Sequence, residues 1–248
     1  MNRFFGAVLA AVFVIGLSTQ TRAADDKDTK AILDKAIKAL GGEEKLAKAK
    51  AATWKTKGKI SFGENDNAFK GDVTVQGLDH CRQEFEGDLG KFVMVLAGDK
   101  GWMAFGDNTT PLDKDPLDGA KRDIYLQMIP VTLLPLKDKD FKIEAAGEEK
   151  VDGKPAVGLK VTAPDKKDFT IHFDKESGLP VKLAAKITDF GGAEVAQETT
   201  YSDYKEFDGI KKATKVVIQR DGKKFLEQQI SDFKVLDKVD PKTFAEPK

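Results

Sequence analysis

The strongest constraint on the fold is an alternation of apolar and polar side chains, with a period of two residues, that recurs along most of the chain. Trp54, Thr56, Gly58, Ile60 and Phe62 alternate with Lys55, Lys57, Lys59 and Ser61. Successive side chains of a strand point to opposite faces, so this segment has one dry face and one lysine-rich wet face. After a turn at Glu64-Asn65-Asp66-Asn67, the pattern returns in Phe69, Gly71, Val73, Val75 and Gly77, and Cys81, Gln83 and Phe85 extend it. Phe92–Ala97 and Gly101–Phe105 form a predicted hairpin through Gly98-Asp99-Lys100. Further strands are predicted at Phe141–Ala145, Ala156–Thr162, Phe169–Phe173, Leu179–Thr188, Val195–Tyr204, Lys212–Arg220 and Lys223–Leu236. Turn sequences such as Asp221-Gly222 separate them. About twelve strands in series, without helices interleaved strand by strand, predict one large antiparallel sheet rather than βαβ units. A sheet of that length curls.

Three segments depart from the pattern. Ile32, Ala36, Ile37 and Leu40 fall on one helical stripe, with Thr29 as the expected cap and Gly41-Gly42 as the stop, and a second short helix is predicted over Glu43–Lys50. Thr109–Lys137 holds Pro111, Pro116, Pro130 and Pro135, a predicted helix over Ala120–Ile129, and the apolar stretch Leu133-Leu134-Pro135-Leu136. Prolines deny this segment a regular ladder, yet it is too apolar to face water. Gly119–Leu136 is therefore expected against the concave face of the curled sheet, as the gate of an apolar container. Phe92–Ala97 is apolar on both faces, so something should cover it on each side.

The first residues address the chain. Arg3 precedes the apolar run Phe4–Leu17, and Thr21-Arg22-Ala23 places small residues at the −3 and −1 positions of a cut. A run of 14 residues falls short of the roughly 20 that span a bilayer, so residues 1–23 are read as a cleavable signal peptide rather than an anchor. Residues 24–248 are read as a single exported domain, periplasmic in a cell with two membranes. Without Arg3 and Arg22, 39 basic residues face 41 acidic ones, which removes the field that nucleic-acid binding needs. With 33% charged residues the chain is not an integral membrane protein.

Catalytic chemistry finds little material. The single cysteine, Cys81, forms no internal disulfide and is expected as a small buried hydrophobe, and two histidines are few for a metal site. His80 and Cys81 are neighbours on a strand and point to opposite faces, while His172, between Ile171 and Phe173, is expected on the solvent side. Asp113, Asp115, Asp118 and Gly119 resemble a calcium loop, but the glycine stands at position seven and the twelfth residue is Ile124. Ser202-Asp-Tyr-Lys205 and Ser231-Asp-Phe-Lys234 match S-x-x-K, but at strand positions and with no K-T-G partner. No catalytic residue, metal or cofactor is expected. The apolar set Trp54, Phe62, Phe85, Met94, Trp102, Met128, Leu133 and Leu134 supplies either a plain hydrophobic core or the lining of a ligand cavity.

The order of these elements resembles the LolA/LolB superfamily of periplasmic lipoprotein-sorting proteins. The resemblance rests on Ala36-Ile-Lys-Ala-Leu-Gly-Gly-Glu-Glu-Lys-Leu46, Gly98-Asp-Lys-Gly-Trp102 and Leu134-Pro-Leu136. Phe173-Asp-Lys-Glu-Ser-Gly-Leu179 and Tyr204-Lys-Glu-Phe-Asp-Gly-Ile210 add to it. It implies a mainly β fold with some α, an incomplete antiparallel barrel whose concave face helices cover, and an apolar cavity that receives acyl chains. The well-known carriers have an Arg-Pro pair early in the sheet, whereas here Arg82 is followed by Gln83.

The expected function is a monomeric periplasmic carrier that binds lipid or lipoprotein acyl chains in that cavity without catalysis, with envelope membrane proteins as further partners. The rival expectation is an envelope structural or interaction module whose core is filled by its own side chains. A cavity packed by Trp54, Phe85 and Met128 favours the rival; an open one favours the carrier.

Overall fold

The computed structural model describes residues 26–63, 65–165, 167–189 and 192–248. The predicted signal peptide lies outside them. Two helices come first, α1 (Asp26–Leu40) and α2 (Glu43–Lys48). Six strands follow: β1 (Ala51–Phe62), β2 (Asn65–Gln76), β3 (His80–Gly87), β4 (Gly90–Ala97), β5 (Lys100–Phe105) and β6 (Asn108–Pro111). Helix α3 (Lys114–Thr132) and a 3-10 turn at Leu134–Lys137 then lead to seven more. These are β7 (Lys142–Val151), β8 (Lys154–Thr162), β9 (Asp168–Asp174), β10 (Pro180–Thr188), β11 (Glu194–Phe207), β12 (Ile210–Arg220) and β13 (Lys223–Leu236).

All the strands among the described residues lie in one antiparallel sheet of order β6-β5-β4-β3-β2-β1-β13-β12-β11-β10-β9-β8-β7. Its free edges, β6 and β7, are consecutive in the chain and are joined through α3. A twisted sheet of this many strands curls rather than staying flat, which brings those edges toward each other. The sheet curves accordingly into an incomplete barrel. Its helices lie inside the curve.

Burial follows the two-residue period. Trp54 pairs with Val73, Val73 with Gln83 and Gln83 with Met94, which sets one row of side chains across the inner face of β1–β4. The inner face divides into two apolar clusters. One joins Leu33, Ala36, Ile37 and Leu40 of α1 to Leu159, Ile171 and Leu183 of the sheet and to Ile129 and Leu133 at the end of α3. The other joins Ile124 and Met128 of α3 to Trp54, Val73, Cys81, Leu96 and Ile230. Helix α1 stops at Gly41, where a Cβ would stand 2.4 Å from the carbonyl oxygen of Gly209; with φ at +137°, glycine alone lets the helix end rest on the β11–β12 turn.

The outer face of β4 is covered as well. Val93 and Val95 alternate with Met94 and Leu96, and on their side Val239 and Phe244 of the segment after β13 pack over them with Ala104 and Trp102.

Several expectations are corrected. The central helix is longer than Ala120–Ile129 and runs through two prolines. Pro116 lies in the first turn, where backbone N–H groups have no intrahelical partner, whereas Pro130 lies inside the helix near its end and leaves the Leu126 carbonyl without its intrahelical donor. Thr29 lies within α1, not at its cap, and is buried. Strand β6, three polar residues followed by a proline, carries no apolar alternation and is not predicted by the sequence pattern. His172 is 8% exposed rather than solvent-facing. Its imidazole lies across Gly158, where a Cβ would come within 2.7 Å of Nε2, and Glu149 Oε1 stands 3.3 Å away beside Lys182. That burial holds its pKa below the ordinary histidine value.

Candidate ligand cavity between the central helix and the sheet

Helix α3 does not close fully on the sheet. Its residues Asp123, Leu126, Gln127, Pro130 and Val131 roof a cavity of about 150 Å³ whose floor is the inner face of β1–β3 and β11–β13. Trp54, Val73, Phe85, Val216, Ile218 and Ile230 give the floor its apolar part. The cavity is not uniformly apolar. Gln83, Gln197, Thr199, Lys212, Arg220 and Gln228 also line it.

Most of these polar groups have partners. Gln83 Nε2 donates to Gln127 Oε1 at 3.3 Å, a direct link from β3 to α3. Thr56 Oγ1 donates to Gln228 Oε1 at 2.8 Å, and Arg220 Nε donates to Gln197 Oε1 at 3.0 Å while its guanidinium lies 3.7 Å over the Phe225 ring. Tyr204 OH donates to the Pro180 carbonyl at 2.7 Å. Burial raises the Asp123 carboxyl to about 6, against the opposing charges of Arg220 and Arg122.

Lys212 differs from the rest. It is 6% exposed, and its Nζ lies 4.5 Å from the Trp54 ring centroid and 5.1 Å from that of Phe233. No ion pair or hydrogen bond joins this ammonium to any of the described residues. Burial lowers its pKa to about 8, so it stays largely cationic at neutral pH.

The eight apolar residues singled out in the sequence are dispersed. Trp54 and Phe85 line the cavity. Met94 and Met128 belong to the adjoining cluster with Cys81 and Leu96, and Leu133 and Leu134 to the cluster beneath α1. Trp102 lies on the outer face with Phe244. Phe62 is 45% exposed, its ring edge-on to Phe225 at 6.0 Å. Sequence reasoning missed Lys212, Asp123 and Arg220. For Lys212 a signal existed, since it holds the same strand parity as Ile210, Val216 and Ile218 and so puts a charge on the dry face.

Cys81 is fully buried, which pushes its thiol up to about 12. Ser202 and Ser231 lie on β11 and β13. Among the described residues no group of three His, Cys, Asp or Glu side chains is arranged to hold a metal, and no helix is long and apolar enough to cross a membrane.

An unclosed antiparallel barrel with a helix laid inside its curve defines the class of fold. The particular fold is LolA-like. The chain is similar to a LolA superfamily protein from Nitrosomonas europaea, at 12% identity and a TM-score of 0.56 over 88% of this chain and 97% of that one. It is also similar to a DUF1329 family protein from Desulfovibrio piger, at 13% identity and a TM-score of 0.55 over 88% and 97%. A third likeness is to a putative outer membrane lipoprotein-sorting protein domain from Vibrio parahaemolyticus, at 12% identity and a TM-score of 0.51 over 86% and 97%. No family model matches the chain, and no curated protein matches its sequence.

Proposed function

We propose that this protein is a periplasmic carrier that holds an acyl chain or similar amphiphile between α3 and the sheet, without covalent chemistry. The observation that carries this reading is the space left between helix and sheet, walled by Trp54, Val73, Phe85 and Ile230. A self-filled module would pack that space. Burial of each methylene contributes about 0.8 kcal/mol, so even a short segment of chain is captured usefully. A cavity of about 150 Å³ is smaller than the several hundred Å³ typical of ligand pockets, so it takes only a short segment of chain as it stands. A longer chain enters only as α3 lifts, which breaks the Gln83–Gln127 hydrogen bond and those from Arg122 to the Lys167 and Asp168 carbonyls. The likeness in fold to the putative lipoprotein-sorting domain from Vibrio parahaemolyticus supports this substrate class.

The same reading includes a cleavable signal over residues 1–23, a single domain over 24–248, a monomer, no enzymatic activity, and envelope membrane proteins as donor or acceptor. The test is organic extraction and mass spectrometry of protein exported to and purified from the periplasm, beside titration with a fluorescent fatty acid. Co-purified lipid and saturable uptake are expected. Repeated recovery without lipid, together with no uptake, overturns the reading.

A further inference from the structure

The unpaired ammonium in the cavity wall asks for a partner. A lysine at a dry-face position costs desolvation that an apolar side chain of the same length would not, and ring faces compensate an ammonium only in part. The other charged groups of the cavity are already engaged. Arg220 holds Gln197 and stacks on Phe225, and Asp123 feels the charges of Arg220 and Arg122. Lys211, next in the chain, is exposed to water. Lys212 alone among these is 94% withdrawn from solvent and without an oppositely charged or hydrogen-bonding partner among the described residues.

We propose that the cavity selects a carboxylate-headed acyl chain, with the head group paired to Lys212 Nζ and the chain lying along Trp54, Val216 and Ile230. One buried positive charge is neutralised by one negative charge; a phosphate dianion would leave net charge in a dry site, and a neutral alcohol or ester would leave the ammonium unpaired. The rings of Trp54 and Phe233 flank the ammonium at 4.5 and 5.1 Å, and the carboxylate pairs with it from within the cavity that Lys212 lines. The charge then acts as a specificity device, turning a general apolar slot into one that prefers free acids over the esters from which they derive. This rests on the reading of the cavity as a ligand site.

The test is calorimetric titration of the full exported chain with octanoate, 1-octanol and octyl phosphate at pH 7, on the parent protein, Lys212→Met and Lys212→Arg. The parent is expected to bind octanoate at least about tenfold more tightly than octanol or octyl phosphate, a difference of the size one charged hydrogen bond supplies. In Lys212→Met the ratio of octanoate to octanol affinity is expected to fall to about one, while Lys212→Arg retains part of the preference. Equal affinity for octanoate and octanol in the parent overturns this proposal and leaves the carrier reading standing, as does a preference that survives in Lys212→Met. Stronger binding of octyl phosphate than of octanoate overturns the choice of head group. Absence of binding by all three overturns both readings.

Discussion

The Phe244 ring meets the His80 imidazole edge-on, with centroids 5.4 Å apart and planes inclined at 68°. Around this contact Arg82 Nη1 donates to the Thr243 carbonyl at 3.3 Å, and the Val239 amide donates to Gln76 Oε1 at 3.1 Å. The segment after β13 is thereby strapped over the outer face of β3 and β4. Phe244→Ala is expected to lower stability by about 3 kcal/mol, the cost of a buried aromatic with its cavity. Denaturant unfolding checks this, and a loss below about 1 kcal/mol would mean that the strap does not contribute to the fold.

Leu133 caps α3 in a left-handed conformation, with φ at +57°, and is fully buried in the cluster beneath α1. Leu133→Asp places a carboxylate there without a partner, so it is expected to destabilise the whole molecule by more than about 3 kcal/mol rather than to release the helix alone. A thermal scan monitored by both sheet and tertiary signals should show one transition, shifted downward. An unchanged midpoint with weaker lipid uptake would instead assign Leu133 to the gate alone.

Asp123 sets a pH dependence. Its folded pKa of about 6 lies above the ordinary 3.8, so between these values the folded state binds more protons than the unfolded one. Stability from this group is complete below about 3.8 and is lost as pH rises through 6. Relative to Asp123→Asn, the parent should gain on the order of 2 kcal/mol as pH falls from 6 to 4. Parallel stability profiles for the two proteins would contradict it.

Lys212 carries the opposite signature. Its folded pKa of about 8 lies below the ordinary 10.5, so the folded state binds fewer protons between those values and the parent becomes more stable as pH rises through them. Lys212→Met is expected to be more stable than the ligand-free parent by about 2 kcal/mol at pH 7, an advantage that shrinks toward pH 10. A variant less stable than the parent at pH 7 would show that the ring contacts with Trp54 and Phe233 more than repay the burial of the charge.

The strand alternation was legible because one face of nearly every strand is buried, which ties register to hydrophobic pattern. It could not show which side of β4 looks inward, since Val93 and Met94 are equally apolar, and so it could not show that Trp102 packs beneath Phe244 rather than in the concave core or the cavity lining. His172 was misread for a related reason. It does lie opposite Ile171, but the long side chains of Glu149 and Lys182 cover that face too. The polar half of the cavity was obscured by the number of lysines, for Lys212 stands beside Lys211 and only its parity distinguishes it. The helix boundaries failed at two prolines: Pro116 occupies the first turn, where no N–H is needed, and the packing of Ile129 and Leu133 in the core outweighs the bond lost at Pro130.

The sheet order has a consequence for how the chain is made. Ten of its neighbouring strand pairs, from β6 to β1 and from β7 to β12, along with β12 and β13, form between consecutive segments as soon as both have emerged. The remaining pair, β1 with β13, joins Ala51 to Leu236. During synthesis the first meander therefore waits with an open edge at β1, and the lysines at positions 55, 57 and 59 guard that edge against a neighbouring chain by charge. The seam closes last, so amides along β1 and β13 should acquire exchange protection after those of the hairpins on either side.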